Sequence, residues 1–257
     1  MLVVDRLCKR FGGLKVVHAC CLAVQEGTIT GLIGPNGAGK TTLFNLLTGF
    51  VKPDSGRVQL EDRDITGLPP HRVFHAGLCR TFQIPKELKG MTVAENLMLV
   101  PPRQLGESLW NPFLRPKSVR RQEKELYHKA IHVLEFLELS QLADQLARNL
   151  SGGQKKLLEL GRTLMTNPRI VLLDEPGAGV NRTLLKRLAD SIRTLQKDLG
   201  LTFLLIEHDM DFVMRLCTPI IVMSEGSVLM QGDPDAVQRD QRVLDAYLGG
   251  QYVATNG

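Results

Sequence analysis

Long apolar runs are missing from this sequence. Although 43% of its 257 residues are hydrophobic, no stretch approaches the roughly 18 uninterrupted apolar residues of a membrane-spanning helix. Residues 1–10 alternate apolar and polar groups, without the apolar segment and small-residue cleavage site of an export signal. We therefore expect a chain that is not exported and that cannot itself form a pore.

Cysteine is scarce as well, and it forms no Cys-x-x-Cys pair. The five cysteines lie in apolar or strand-like stretches, at Cys8, Cys20, Cys21, Cys79 and Cys217. Their odd number and unpaired spacing predict buried thiols in a reducing cytosol. The net charge of +5 would suit nucleic acid, an anionic membrane surface or an acidic ligand about equally, so charge alone selects no function.

Short apolar runs and helical patterns alternate along much of the chain. The runs with the length of buried strands are residues 28–33, 170–173, 202–206 and 219–223. The helical patterns are residues 40–47, 155–165 and 184–199. This alternation predicts an α/β core with a mostly parallel sheet. Two more strand patterns, residues 2–11 and 15–24, flank the turn signal Gly12-Gly13.

A mostly helical segment interrupts this alternation. Pro69-Pro70 favours a helix start, and Thr92 and Glu95 have the spacing of a capping box. Residues 101–117 are rich in Pro, Gly and Asn, and they predict an irregular loop. The length favours one domain over two. The expected domain covers residues 1–257, with a core of residues 1–83 and 168–257 and a helical subdomain inserted at about residues 84–167.

A glycine-rich motif follows the first run that has the length of a buried strand. It matches Gly-x-x-x-x-Gly-Lys-Thr and consists of Gly34, Pro35, Asn36, Gly37, Ala38, Gly39, Lys40 and Thr41. Glycines let backbone N–H groups and the N-terminus of the next helix approach an anion closely. The Lys40 ammonium suits the β- and γ-phosphates, and the Thr41 hydroxyl suits Mg²⁺. The motif predicts that the chain binds a nucleoside triphosphate with Mg²⁺.

Polar side chains end two of the other strand patterns. Asp174 and Glu175 follow one of them, and His208 follows another, between Glu207 and Asp209. The carboxyl ends of parallel strands form the edge at which α/β proteins bind ligands. Asp174 suits Mg²⁺, through a water, because Mg²⁺ prefers hard oxygen ligands. Glu175 suits the attacking water, as a general base or polariser worth roughly 10² to 10⁴-fold in rate. We expect Glu207 and Asp209 to face solvent or to support the site.

A second motif with the properties of an anion site lies farther along the chain. Its five residues are Leu150, Ser151, Gly152, Gly153 and Gln154. A serine hydroxyl and approachable backbone N–H groups at the positive end of a helix form an anion site. The chain therefore carries two such sites.

Together, these motifs make the sequence resemble the nucleotide-binding subunits of ATP-binding cassette (ABC) transporters, over nearly the whole chain. The resemblance implies a P-loop ATPase core, an N-terminal antiparallel β subdomain and an inserted helical subdomain. It also implies that two subunits dimerise head to tail. The pentapeptide of one subunit, including Ser151, then closes over the γ-phosphate held by the phosphate loop of the other. ATP joins the subunits, and hydrolysis separates them.

The resemblance implies further roles for single residues. Thr42 would contact the α-phosphate, and His208 would contact the γ-phosphate and help to hold the water. Gln83 would sense Mg²⁺ and the attacking water while linking the core to the helical subdomain. The Phe11 ring would either stack on adenine or belong to the core.

The loop after Glu175 departs from the usual pattern of this family. It reads Pro176-Gly177-Ala178-Gly179-Val180-Asn181, with Ala178 and Asn181 where Ser and Asp are usual. The loss of a hydroxyl and a charge leaves the hydrogen bonds across the dimer open. The nucleotide site does not depend on them.

Finer features resemble importers of hydrophobic amino acids. They are Phe11-Gly12-Gly13-Leu14, Arg80-Thr81-Phe82-Gln83, the insert around Trp110-Asn111-Pro112, Ile206-Glu207-His208-Asp209-Met210 and Ala246-Tyr247-Leu248-Gly249. The resemblance implies an ATP-hydrolysing importer subunit for branched-chain or other neutral amino acids. Urea, short-amide or lipopolysaccharide transport stays open, because the cassette never contacts the cargo. A non-transport regulatory ATPase stays open too.

The resemblance also implies partners and a location. The partners are a second ABC ATPase subunit, identical or a paralogue, integral membrane permease subunits that contact residues 84–98, and indirectly a substrate-binding protein. No nucleic acid is expected, since no long heptad arm lies between Gly37 and Ser151. The location is the cytoplasmic face of the inner or plasma membrane, peripherally bound. Within residues 103–121, five basic groups accompany the single acid Glu107, which suits a lipid or permease contact or a solvated loop.

Overall fold

The fold is given by a computed structural model that describes residues 1–81, 87–108 and 110–254. For residues 112 and 248–254 only the backbone is described. Gln83 and residues 84–86 of the expected permease-facing segment lie outside the described residues. The chain forms two compact units. Unit 1 comprises Met1–Arg80, Arg169–Gly177 and Ile192–Gly257, and unit 2 comprises Thr81–Pro168 and Ala178–Ser191. The domain division predicted from the sequence stays a prediction.

Unit 1 begins with an antiparallel sheet. Its strands are β1 (Leu2–Phe11), β2 (Leu14–Val24), β4 (Ser55–Leu60) and β5 (Arg63–Asp64), in the order β2-β1-β4-β5. The two strand patterns that the sequence predicted here are confirmed, because Leu2, Val4 and Leu7 point into the core while the residues between them are exposed. The antiparallel β subdomain is therefore present.

The larger sheet of unit 1 is mostly parallel. Its strands are β3 (Ile29–Ile33), β6 (Leu78–Arg80), β7 (Ile170–Asp174), β8 (Thr202–Ile206), β9 (Ile220–Ser224) and β10 (Ser227–Gly232). The order is β10-β9-β3-β8-β7-β6, and of these strands β10 alone runs antiparallel to its neighbour. Every residue of β3, β7 and β8 is buried, as expected of a sheet covered on both faces. The adjacent strands β3, β8, β7 and β6 therefore end at one edge.

The helices of unit 1 are α1 (Lys40–Leu47), α2 (Pro70–His75), α8 (Met210–Leu216), α9 (Pro234–Arg239) and α10 (Gln241–Ala254). Helix α7 (Arg182–Leu199) is divided between the two units. Leu43, Phe44 and Leu47 of α1 are at most 1% exposed and belong to the same core as the strands of both sheets. Helix α1 follows the phosphate loop directly, so this packing fixes the loop.

Unit 2 is helical. Its helices are α3 (Val93–Met98), α4 (Asn111–Leu114), α5 (Pro116–Phe136) and α6 (Gly152–Leu164). The predicted capping box of α3 is confirmed, since the Thr92 hydroxyl accepts the Glu95 N–H and the Glu95 carboxylate accepts the Thr92 N–H. Gly161 of α6 packs against α3 and α5, where a β-carbon would lie 2.9 Å from Leu137 Cδ1 and 3.2 Å from Leu97 Cδ2.

The prediction of an irregular loop over residues 101–117 is wrong in part. A 3-10 turn (Leu105–Glu107) and α4 lie within it, and α5 already begins at Pro116. Proline suits a first helical turn because its missing N–H would have no helical partner there. The Gln122 side chain accepts the Leu105 N–H at 2.6 Å and holds the turn against α5. In the described part of the chain, no helix is both long and apolar enough to cross a membrane.

Candidate nucleotide-binding site

The phosphate loop connects β3 to α1, as the sequence predicts. Gly34 and Gly39 have φ angles of 149° and 96°. A β-carbon at Gly34 would collide with the Met223 carbonyl oxygen, and one at Gly39 would lie 2.7 Å from the Val16 carbonyl oxygen. The Gly226 N–H donates to the Ala38 carbonyl oxygen at 3.1 Å. Neighbouring backbone thus supports the loop from behind, and glycine is required at both positions.

Lys40 is buried at the first turn of α1, with 6% of its surface exposed. Its Nζ donates to the carbonyl oxygens of Gly34 at 2.6 Å and Pro35 at 3.0 Å. Burial lowers the pKa of the Lys40 ammonium, and the negative charge of Glu175 opposes that shift. Thr41 is exposed and Thr42 is half-buried. The ammonium and the Thr41 hydroxyl therefore stand at the helix N-terminus, where an anion is favoured.

The ends of β7 and β8 bring predicted site residues together. Asp174 is the last residue of β7 and is buried. The Glu175 N–H donates to the Ile206 carbonyl oxygen at 3.0 Å, and the φ angle of Glu175 is +48°. Its Oε1 lies 3.0 Å from Nε2 of His208. A non-glycine residue rarely adopts such a φ angle, so the surrounding backbone holds this carboxylate in a defined place.

Glu207 supports this edge from the interior, and the alternative that it faces solvent is wrong. It is 5% exposed. Its Oε1 accepts the Gly177 N–H at 2.5 Å, and its Oε2 accepts the His208 N–H at 3.0 Å. Burial raises the pKa of the Glu207 carboxyl, while the backbone N–H groups of Gly177, His208 and Asp209 act in the opposite direction. One carboxylate therefore joins the loops that follow β7 and β8.

Two residues near this site were missed in the sequence. Arg80 ends β6 and donates from Nη2 to Asp174 Oδ2 at 2.6 Å. The sequence offered one sign that Arg80 belongs to the site, namely its position three residues before Gln83. Burial raises the pKa of the Tyr247 phenol on α10, and the Gly34 N–H opposes that shift. Tyr247 therefore lies beside the phosphate loop, although it stood in the sequence only as part of a C-terminal pattern.

The pentapeptide belongs to unit 2, where it starts α6. The Ser151 hydroxyl accepts the Gln154 N–H at 3.4 Å, and Gln154 Oε1 accepts the Ser151 N–H at 2.9 Å. Ser151 and Gly152 are exposed, and a β-carbon on Gly152 would meet nothing within 4 Å. The predicted helix start is present. Ser151 and Gly152 face solvent, whereas Gly153 is buried, and a β-carbon there would collide with the Leu184 side chain.

Phe11 lies exposed at the end of β1, and Asn181 caps a helix. The Phe11 residue at the end of β1 is 49% exposed, with Lys9 Nζ 5.6 Å from the ring centroid. The alternative that Phe11 belongs to the core is therefore wrong. Asn181 Oδ1 accepts the Leu184 N–H at 2.9 Å, so the asparagine caps α7 much as an aspartate would. Ala178 is exposed.

The cysteines follow the sequence prediction only in part. Cys20, Cys79 and Cys217 are buried, whereas Cys8 is half-buried and Cys21 is exposed. Burial raises the pKa of the Cys20 thiol to about 12. Cys21 was assigned to the interior because its stretch is apolar, but alternation along β2 turns neighbouring side chains to opposite faces.

The donor set of the edge fits a nucleoside triphosphate with Mg²⁺. Backbone N–H groups and Lys40 supply positive charge for phosphates, while the Thr41 hydroxyl and the Asp174 carboxylate supply hard oxygen ligands. Glu175 and His208, 3.0 Å apart, supply a base and a hydrogen-bonding partner. The arrangement can bind a triphosphate and activate a water molecule.

Family comparisons agree with this chemistry. A family model described as "ABC transporter" matches residues 17–178. A second, described as "Branched-chain amino acid ATP-binding cassette transporter", matches residues 227–253. The second match covers β10, α9 and most of α10, the segment that places Tyr247 beside the phosphate loop.

Individual relatives match over almost their full length. The chain is 42% identical over 253 residues to a probable branched-chain amino acid transport ATP-binding protein, LivG, of Archaeoglobus fulgidus, covering 98% of this chain and 96% of the relative. It is 41% identical over 249 residues to the high-affinity branched-chain amino acid transport ATP-binding protein BraF of Pseudomonas aeruginosa, covering 97% and 98%.

Solved structures share the fold. One is a nucleotide-free ATP-binding cassette from an ABC transporter, 41% identical, with a TM-score of 0.82 over 96% of this chain and 98% of that chain. Another is the ADP conformation of MJ1267, an ATP-binding cassette of an ABC transporter. It is 40% identical, with a TM-score of 0.82 over 97% and 98%.

Proposed function

Because the chain belongs to the ABC transporter family, we propose that it is the ATP-hydrolysing subunit of an importer for branched-chain or other neutral amino acids. The observation that carries this proposal is the pairing of Glu175 with His208 at 3.0 Å, on the strand edge that also carries the phosphate loop. The names of the relatives support the cargo, since both are branched-chain amino acid transport proteins.

The bound triphosphate is held mainly by the phosphate loop. The N–H groups of Gly34 to Lys40 and the Lys40 ammonium bind the β- and γ-phosphates, and Thr42 contacts the α-phosphate. Phe11 stacks on adenine, which its exposure permits. When bound, Mg²⁺ would neutralise charge on the phosphates, and Thr41, Gln83 and, through a water, Asp174 would hold it.

Hydrolysis depends on the ends of β7 and β8. Glu175 polarises the attacking water, and His208 holds the γ-phosphate and the water in line. Ser151, Gly152, Gly153 and Gln154 of a second subunit complete the site over the γ-phosphate. The exposure of Ser151 and Gly152 leaves them available for this contact. ATP binding then brings the two subunits together, and hydrolysis releases them.

The partners follow from this cycle. They are a second ABC ATPase subunit, integral membrane permease subunits and, indirectly, a substrate-binding protein. The chain is then a peripheral protein on the cytoplasmic face of the membrane.

Co-expression with candidate permeases in membranes, followed by affinity purification of this chain, tests the assignment. ATP hydrolysis that is stimulated by a leucine-loaded binding protein supports it, whereas stimulation by a urea-loaded one, or failure to bind any permease, contradicts it.

A Glu175→Gln variant tests the chemistry directly. The amide cannot polarise water as the carboxylate does, so we expect hydrolysis to fall roughly 10² to 10⁴-fold while ATP binding persists and an ATP-bound dimer accumulates. Single-turnover hydrolysis and size-exclusion chromatography with light scattering measure both effects. Glu225→Gln is the matched control, because Glu225 is exposed and its φ angle is +49°. Retained turnover in Glu175→Gln would exclude the proposed role.

A further inference from the structure

A buried ion pair joins the end of β6 to the end of β7. Arg80 Nη2 donates to Asp174 Oδ2 at 2.6 Å, and both side chains are 8% exposed. The two strands run parallel, with Arg80 opposite Leu172, two residues before Asp174. A buried carboxylate needs a partner of opposite charge, and arginine keeps its charge at any pH that proteins tolerate. The pair is therefore a fixed part of this edge.

The same guanidinium also contacts α1. Its Nη1 donates to Asn45 Oδ1 at 2.7 Å and to Thr48 Oγ1 at 3.4 Å. The guanidinium centre lies 5.6 Å from the centroid of the Phe44 ring. A planar fork of donors can serve two acceptors in different directions at once. Arg80 therefore bridges the Asp174 carboxylate and the helix that follows the phosphate loop.

The contacted face of α1 is the face that carries Thr41. Asn45 lies four residues after Thr41, and Thr48 lies seven residues after it. Residues at this spacing share one helix face. Arg80 thus links Asp174 to the face of α1 that begins with Thr41.

We propose that Arg80 is a positioning residue for Mg²⁺ in the ATPase reaction, and the proposal rests on the function proposed above. By engaging Oδ2, the guanidinium orients the Asp174 carboxylate toward the Mg²⁺-bound water and fixes its distance from Thr41. Lysine can replace it only in part, because an ammonium lacks the planar fork that reaches Asp174 and Asn45 together.

Nucleotide binding titrated with Mg²⁺ tests this role without any catalytic turnover. In Arg80→Gln, we expect the Mg²⁺ concentration for half-maximal binding of a fluorescent ADP analogue to rise roughly 10 to 100-fold, the usual loss when the partner of a metal ligand is removed. Affinity in EDTA should match that of the unsubstituted chain, because Lys40 and the loop N–H groups are intact. In Arg80→Lys, the Mg²⁺ concentration for half-maximal binding should lie between those of the unsubstituted chain and Arg80→Gln. This variant serves as the test if Arg80→Gln does not fold.

Arg57→Gln is the matched control. Arg57 also forms an ion pair, with Asp64 at 2.8 Å, but its side chain is 60% exposed. We expect its Mg²⁺ titration to be unchanged. An unshifted Mg²⁺ midpoint in Arg80→Gln, or an equal loss of affinity with and without Mg²⁺, would overturn the proposal. An unsubstituted chain whose nucleotide affinity ignores Mg²⁺ would instead contradict the proposed function.

Discussion

At the scale of single residues, Glu207 carries a buried carboxyl group where β7 and β8 end. Its oxygens accept the N–H groups of Gly177 and His208, at 2.5 Å and 3.0 Å. Such charge-assisted bonds offset part of the cost of removing a carboxylate from water. Burial nevertheless raises the pKa of Glu207, so the charged form is less favourable in the folded protein than in the unfolded chain.

This direction predicts a pH dependence. A group with a raised pKa in the folded state binds its proton more tightly there, so its contribution to stability falls as pH rises from the unfolded pKa of about 4.3 through the folded pKa. The free energy of unfolding of the unsubstituted chain, relative to Glu207→Gln, should therefore decline over this window. The decline is about 1.4 kcal/mol for each unit by which the pKa is raised.

Urea unfolding of both proteins between about pH 4.5 and pH 8 measures this difference in the free energy of unfolding. The pH range starts near the unfolded pKa of glutamate. Glu26→Gln is the control, because Glu26 is exposed and its substitution should give a flat difference. A difference that instead grows with pH would mean that the N–H donors outweigh burial and lower the pKa of Glu207.

At the scale of elements, the packing of α6 against α3 and α5 depends on a residue without a side chain. A β-carbon on Gly161 would lie within 3.4 Å of Leu137, Leu97 and Val133. Leu137 and Leu97 are at most 2% exposed and have little room to move. The three helices therefore approach one another at Gly161 so closely that a β-carbon would displace the side chains of Leu137 and Leu97.

We expect Gly161→Ala to destabilise the protein by about 1 to 3 kcal/mol, the usual cost of overpacking a core, despite the better helix propensity of alanine. The urea midpoint followed by far-UV circular dichroism measures this loss. Gly90→Ala is the control, since a β-carbon at Gly90 would meet nothing within 4 Å. A stabilised Gly161→Ala variant would show that the neighbouring leucines relax.

Elements with strong periodicity could be predicted from the sequence, and weakly patterned ones could not. The bounds of α1 and β8 are those predicted, because a phosphate-loop motif precedes α1 and β8 is a run of apolar residues that is buried throughout. Strand β6 has three residues and β10 is half-exposed, so neither has a clear pattern. Helix α8 begins after Asp209, whose side chain caps it, whereas the sequence predicted only that Asp209 faces solvent or supports the site.

The same distinction applies to the site. Lys40, Glu175 and His208 were proposed as site residues because a motif or a strand end marks each of them. Arg80 and Glu207 were missed or left between alternatives, because their roles depend on pairing between β6, β7 and β8, which are distant in sequence. Side-chain contacts across a sheet leave no local pattern.

For the whole molecule, the proposed cycle requires two chains, and the exposed start of α6 offers the test. Ser151→Arg places a large cation at the helix N-terminus, where positive charge is disfavoured. We expect ATP-driven dimerisation in a Glu175→Gln background to be abolished, while the nucleotide affinity of the monomer stays unchanged because the phosphate loop is untouched.

Light scattering with and without ATP reads out the dimer, and a fluorescent ATP analogue reads out the affinity of the monomer. Ser108→Arg adds the same charge at another exposed serine and should still dimerise. Dimers that persist in Ser151→Arg would show that the pentapeptide is not at the interface. Lost nucleotide affinity would show that it acts within its own chain.

The φ angle of +48° at Glu175 matters for anyone who evolves this protein for robustness. A side chain costs roughly 1–2 kcal/mol in this backbone region relative to glycine. Libraries sorted by heat resistance alone would therefore enrich Glu175→Gly and discard the carboxylate that we propose polarises the attacking water. Position 175 should be held constant in such a library, or survivors should be sorted again for ATP turnover.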